Sequence, residues 1–169
     1  MTKSGMSCEL VQEYASSYIE LVGAPVHAWE QLVISLGQYL LEQKTTRDYM
    51  VTDAAAFATY IYAQRTLPEA VTPDEWPKYR QLLDVLRTMA RISLDSYDLI
   101  FLLTHVFPPA ADGVRLKDHL SKKVCQQINR DLESYLRFER VQYHRIKANA
   151  TDGAKKALRI IQQREAVRI

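Results

Sequence analysis

Residues 122 to 159 carry the side chains with the clearest chemical potential. Lys123, Arg130, Arg137 and His144 recur every seven residues. Seven residues fall about 20° short of two helical turns and rise about 10 Å, so on one helix these basic residues would stand near one line along the axis. Lys122, Arg140, Arg145 and Lys147 broaden that strip, and Lys155, Lys156, Arg159 and Arg164 add a second basic group. A row of this kind suits a phosphate backbone, because each neutralised phosphate releases counterions and gives binding that depends on salt and ignores base sequence. The use of Arg rather than Lys at 130, 137, 140 and 145 favours bidentate contacts with phosphate or carboxylate. Tyr135, Phe138 and Tyr143 interleave with the strip and are able to stack on bases, although aromatics at such spacings also serve the core and its margin. Two blander readings compete with nucleic-acid contact. Lys and Arg on an outer helix face solvate it, with Asp131, Glu133 and Glu139 interspersed to lower the field, or they pair with carboxylates of a protein partner.

The distribution of charge gives the strip its context. Formal net charge is only +2. Residues 1–112, however, hold 8 Lys and Arg against 14 Asp and Glu, a net of −6, whereas residues 113–169 hold 14 against 6, a net of +8. Asymmetry of this kind points to a polyanionic partner or to a charged neighbour in an assembly.

Enzyme chemistry finds few parts in the sequence. There is no GxxxxGK phosphate loop, no GxGxxG, no GxSxG elbow and no HExxH. His27, His105, His119 and His144 fall in four separate segments, and a di-iron helical bundle would need two ExxH pairs with further inward carboxylates. His27 and Glu30 reverse that order and stand alone. Asp95 and Asp98, with Ser93 and Ser96, read as capping groups at the start of a helix, where carboxylates meet exposed N–H groups; Asp112 and Asp118 read similarly as loop and first-turn acids. Cys8 and Cys125 lie in segments that read as helix, each without a CxxC or Cys/His neighbour, and are expected to be reduced thiols. No metal, cofactor or small-molecule substrate is implied.

The elements that must position these residues read as helices. Composition is 47% hydrophobic and 25% charged, enough apolar surface for a folded core in one domain spanning 1–169. Ser7 is expected to cap a first helix carrying Leu10, Tyr14, Tyr18 and Leu21 and ending at Gly23. Pro25 opens a second, with Trp29, Leu32, Val33, Leu36, Leu40 and Leu41 as its buried stripe and Gly37 marking a close contact. A third runs from Asp53 to about Arg65 and stops at Leu67-Pro68. Thr72-Pro73-Asp74-Glu75 is a capping box opening a fourth, to about Arg91, burying Trp76, Tyr79, Leu82, Leu83, Leu86, Met89 and Ala90. Its other side carries Lys78, Arg80, Arg87 and Arg91. A fifth helix spans Leu94 to Val106 and Pro108-Pro109 ends it; a loop to Gly113 follows. One long helix runs from Val114 to about Lys147 on Leu116, Leu120, Val124, Ile128, Leu132 and Leu136. Asn149 to Gly153 is a break, with Thr151 capping a terminal helix. No period-two alternation suggests strands. The expected fold is all-α, an antiparallel bundle of about six or seven helices. The N-terminal stretch lacks the apolar run of a secretion signal, and the longest apolar run, Leu99 to Val106, is far short of a membrane span, so the expected location is cytoplasmic and no membrane is involved.

A chain of 169 residues, helical throughout, without a catalytic constellation and with basic helices after an acidic start, resembles the small subunit of CRISPR Cascade-type effector complexes. It is most similar to the type I-D version, which in that family arises from an internal start in the large-subunit gene and corresponds to the C-terminal helical domain of that protein. The resemblance implies a non-catalytic bundle in a defence complex, stacked with further copies of itself and beside other subunits. It would hold crRNA, target or displaced DNA through backbone contacts and leave sequence to base pairing. The contact residues would be Lys122, Lys123, Arg130, Arg137, Arg140, Arg145, Lys147, Lys155, Lys156 and Arg159. The acidic first part would face protein neighbours, with Arg80, Arg87 and Arg91 as a second candidate patch.

Overall fold

The computed structural model describes residues 7–23, 29–44, 47–53, 55–66, 71–104, 122–147 and 150–168. These fall into two compact units, one of the described residues up to Ser96 and the other of those from Tyr97 onward. Most of the described chain is helical, in six α-helices, but four short strands are also present and form two parallel pairs.

The first unit contains β1 (Cys8–Val11), α1 (Tyr14–Val22), α2 (Glu30–Glu42), β2 (Tyr49–Thr52), α3 (Ala58–Thr66), a 3-10 turn (Pro73–Glu75) and α4 (Trp76–Leu94). Strands β1 and β2 pair in parallel with Cys8 opposite Tyr49 and Val11 opposite Thr52. A parallel pair needs a long crossover, and α1 and α2 supply it. Ser7 therefore caps no helix. Its N–H and hydroxyl donate to the Asp48 carboxylate at 2.8 and 2.9 Å, while its carbonyl accepts from Tyr49 N–H at 3.1 Å. Cys8 accordingly lies on a strand. The first helix begins at Tyr14 and stops at Gly23 as expected; there φ is +99° and the N–H bonds the Ile19 carbonyl.

Helix α2 turns most of its expected stripe outward, although Leu32 packs against the core as expected and Leu41 is half-buried. Trp29, Val33, Leu36 and Leu40 are exposed, whereas Glu30, Gln31, Ser35, Gln38 and Glu42 join Ile34 in the interior. Glu30, Gln38 and Glu42 are tolerated there because each is hydrogen-bonded. Tyr18 OH donates to Glu30 at 2.8 Å. Gln38 Oε1 accepts the Tyr14 N–H at 2.8 Å, so a side chain on α2 satisfies one of the unpaired donors at the start of α1. Gln38 Nε2 donates to Thr52 Oγ1 and to Glu42, and Glu42 Oε1 also accepts from the Thr52 hydroxyl and the Ala56 N–H. This network ties α1, α2, β2 and the approach to α3 together. Gly37 is a close contact as expected: a Cβ there would run into the Tyr14 ring.

Helix α3 starts five residues later than Asp53 and ends at Thr66; the Leu67-Pro68 stop lies outside the described residues, as does Pro25. The Thr72 signal is real. The Glu75 carboxylate accepts the Thr72 N–H and hydroxyl at 3.1 and 2.8 Å. Tyr79, Leu86 and Ala90 are buried along α4, with Ala63 from α3 against the first two, and Leu32, Tyr60, Val71, Leu82 and Leu83 packed around them. Trp76 is 37% exposed and meets Tyr79 edge-on, with ring centroids 5.4 Å apart.

The second unit contains β3 (Phe101–Leu103), α5 (Lys122–Phe138), β4 (His144–Ile146) and α6 (Ala150–Arg168). The expected fifth helix is absent between Asp95 and Thr104. Helix α4 runs on to Leu94, and Phe101–Leu103 pairs in parallel with His144–Ile146. Ser93 and Asp95 thus sit at the end of a helix, not the start of one, and Asp98 lies beside Arg164. An apolar run of this length reads alike as buried helix or buried strand, and pairing with a distant segment decides it.

The long helix also stops early. Arg140 takes φ +57°, its N–H bonds Arg137 O at 3.1 Å and the Val141 N–H bonds Leu136 O at 2.9 Å. This is a Schellman ending with arginine in the left-handed position usually held by glycine. His144 then leaves the helix for β4. Ile100, Leu102, Ile128, Tyr135, Leu136 and Ile146 are buried in this unit. Gly153 brings α6 close to β4, where a Cβ would meet Ile146 at 3.1 Å. Because α6 begins at Ala150, Thr151 lies within it and is not its cap.

Candidate nucleic-acid interface

Helix α5 places Ile128, Tyr135 and Leu136 inward, so its opposite face carries Lys123, Arg130 and Arg137, all exposed and close to one line. Three of the four heptad positions therefore behave as expected, and His144 does not. It is half-buried on β4, with its ring 5.7 Å from that of Phe101. Arg140 is exposed at the helix end, Arg145 and Lys147 are exposed at β4, and Lys155, Lys156 and Arg159 are exposed on α6. Lys122 is the first residue of α5, and its side chain lies outside the described residues. On α4 of the first unit Arg80, Arg87 and Arg91 are exposed. His27, His105, His119, Asp112 and Asp118 also lie outside the described residues.

A carboxylate organises the centre of the basic face. Glu133, with its side chain 15% exposed, accepts from Arg137 Nη2 at 2.8 Å and from the Tyr143 hydroxyl at 2.8 Å, and lies 3.4 Å from Arg145 Nη1. Arg137 Nε donates in turn to the Tyr143 oxygen at 3.0 Å. The Tyr143 hydrogen bond, followed by the charges of Arg145 and Arg137, holds the Glu133 carboxyl below the usual carboxylate range. The same tyrosine contact and the Glu133 charge push Arg137 up. One negative charge is shared between two arginines, so the cluster keeps a positive excess. Tyr143 thus serves polar geometry, Tyr135 belongs to the core, and Phe138 is 68% exposed.

Beside this cluster lies a groove of 340 Å³. Gln126, Asn129, Arg130 and Glu133 line it from α5, Arg145 from β4, and Leu102 and Thr104 from β3 and its end. Lys156 reaches the Arg145 carbonyl at 3.4 Å, bringing α6 to the same neighbourhood. The basic residues of α5 and β4 are therefore partly gathered: Arg137 and Arg145 meet on Glu133, Arg130 lines the same groove, and Lys156 of α6 reaches only the Arg145 backbone. Arg164 is spent elsewhere, against the Asp98 carbonyl and 3.7 Å from its carboxylate.

In the sequence Glu133 stands out only as a charge that dilutes the strip, and nothing there marks Gln126, Asn129 or Thr104. The Glu133–Arg137 spacing of four residues was the available signal. Tyr143 and Arg145 reach Glu133 only because the chain turns at Arg140. Among the described residues no group of three or more His, Cys, Asp or Glu is placed to hold a metal ion, and no helix is long and apolar enough to cross a membrane. No protein-family model, no curated protein and no solved structure matches this chain.

Proposed function

We propose that this protein is a non-catalytic structural subunit that grips a nucleic-acid backbone through the basic face of its second unit. The convergence of Arg130 and Arg145, from a helix and a strand, on one groove is the observation that carries the reading. Arg145 and Arg137, from different elements, are held by the Glu133 carboxylate beside Arg130, and exposed guanidinium groups so arranged suit bidentate phosphate contacts. The first unit adds a complementary feature. Trp29, Val33, Leu36 and Leu40 are 57, 37, 46 and 50% exposed at the alternating four- and three-residue spacing of a helix–helix seam. Leu10 and Val51, partners in the β1–β2 register, are exposed as well. Such a surface suits protein neighbours.

A basic face on one unit and an apolar face on the other, among the described residues, fit an assembly of the CRISPR Cascade type. There it would act as a cytoplasmic small subunit, bundle-like in its helical arrangement, contacting crRNA, target or displaced strand while docking on other subunits or further copies of itself. The apolar seam also favours a second reading, a helical adaptor that binds a protein partner and no nucleic acid.

Electrophoretic mobility with single-stranded and duplex DNA and RNA at 50 and 200 mM salt separates them. The nucleic-acid reading expects a sequence-blind shift at low salt that collapses at high salt and is lost in the Arg130→Glu, Arg145→Glu double variant. Absence of a shift at low salt would leave the adaptor reading.

A further inference from the structure

The groove beside Glu133 carries a more specific chemistry than a row of cations. It includes a carboxylate, two arginines and two side-chain amides, and its 340 Å³ lies at the lower end of the roughly 300–1,000 Å³ range of small-ligand sites. That is room for one nucleotide unit rather than several. Glu133 is the informative residue. Among the described residues, every hydrogen bond and ion pair given to its carboxylate falls on Oε1. Oε2 is left with its lone pairs on a side chain that is mostly covered and lines the groove. Arg137, Arg145 and Tyr143 fix the group in place and keep it ionised.

A fixed carboxylate oxygen in a basic groove selects among bases. Phosphates and sugars offer no paired N–H donors. Of the four bases only guanine presents two adjacent donors, N1–H and the N2 amino group, on its Watson–Crick edge, with O6 beside them as an acceptor for a guanidinium. Adenine, cytosine and uracil would each set a ring nitrogen or carbonyl acceptor near the same carboxylate, where like partial charges repel. Single strands offer this edge when a base is unstacked. Arg130, one helical turn before Glu133, is placed to meet O6, and Arg145 to meet the neighbouring phosphate.

We propose that the Glu133 groove holds one unstacked guanine of a bound strand, adding a single-base preference to a grip that otherwise ignores sequence. This rests on the reading of the basic face as a nucleic-acid surface and goes beyond it.

Fluorescence anisotropy with the full chain and labelled single-stranded undecamers of alternating dA and dC tests it. The central position is dG, deoxyinosine or dA. Deoxyinosine keeps N1–H and O6 but lacks the N2 amino group. The dG strand binds about tenfold tighter than the dA strand, the deoxyinosine strand falls between them, and Glu133→Gln brings the three to one affinity. Three strands bound equally by the unaltered protein would overturn the guanine site and leave backbone binding standing, as would a dG preference that survives Glu133→Gln. Failure of all three to bind at low salt would remove the nucleic-acid reading and this inference with it.

Discussion

Replacing Tyr79 with phenylalanine removes one oxygen atom from the core of the first unit. Tyr79 is 3% exposed, and its hydroxyl donates to the Ala63 carbonyl at 2.7 Å. Ala63 is the fourth residue from the end of α3, so its carbonyl is among the last four that the helix itself leaves unpaired. The Tyr79 hydroxyl satisfies it from α4. Burial is the main reason that the Tyr79 phenol is pushed above its ordinary range, with the charge of the neighbouring Tyr60 phenolate adding to it. The variant leaves the carbonyl buried without this donor, which costs about 1–3 kcal/mol. The ring stays, so no cavity opens and packing against Ala63 and Leu86 is kept. For a unit of this size a loss of 1 kcal/mol lowers the Tm by roughly 4–8 °C. Thermal melts followed by far-UV circular dichroism, with urea titration as a second measure, should show a fall of at least 4 °C at unchanged m-value. A Tm within 1 °C of the parent would refute the claim that this hydrogen bond closes the end of α3.

Three further outcomes follow from the geometry. Arg140→Gly relieves a left-handed residue of about 1 kcal/mol of strain and should raise the urea midpoint of the second unit, at some loss of nucleic-acid affinity because a cation goes with it. Glu133 titrates below the usual carboxylate range in the folded protein, so its contacts stabilise the second unit at neutral pH and are lost as pH falls through the folded value; Tm against pH should drop on acidification and flatten there in Glu133→Gln. Leu40→Glu, on an exposed α2 position, should shift stability by no more than about 0.5 kcal/mol in the isolated chain while weakening any self-association seen by sedimentation, and a large loss of stability would show that the seam is internal.

Much of the helical content was legible because it is written locally. Gly23, the Thr72–Glu75 box and the inward series Tyr79, Leu86 and Ala90 are signals carried within a few residues. The strands were not legible. Cys8–Val11 and Tyr49–Thr52 are short and lack alternation, and their pairing depends on Ser7 meeting Asp48 across 41 residues. The facing of α2 misled for a related reason. Its apolar spacing is that of a buried stripe, yet its polar residues find partners on α1 and β2, and hydrogen bonding makes their burial tolerable. The basic face was found by composition and heptad spacing, but its centre was not. Arg140 carries no glycine signal for the helix stop, and without that stop Tyr143 and Arg145 point along a helix instead of back toward Glu133.

Photo-crosslinking reads contact between the basic face and a nucleic-acid strand without an intermediate step. The full chain is irradiated at low salt with a single-stranded oligonucleotide carrying 4-thiouridine, and the adducts are mapped by mass spectrometry. Adducts are expected on peptides from Lys122–Phe138, His144–Ile146 and the first half of Ala150–Arg168, lost at 200 mM salt and in the Arg130→Glu, Arg145→Glu variant. Adducts confined to the first unit, or none at any salt concentration, would contradict it.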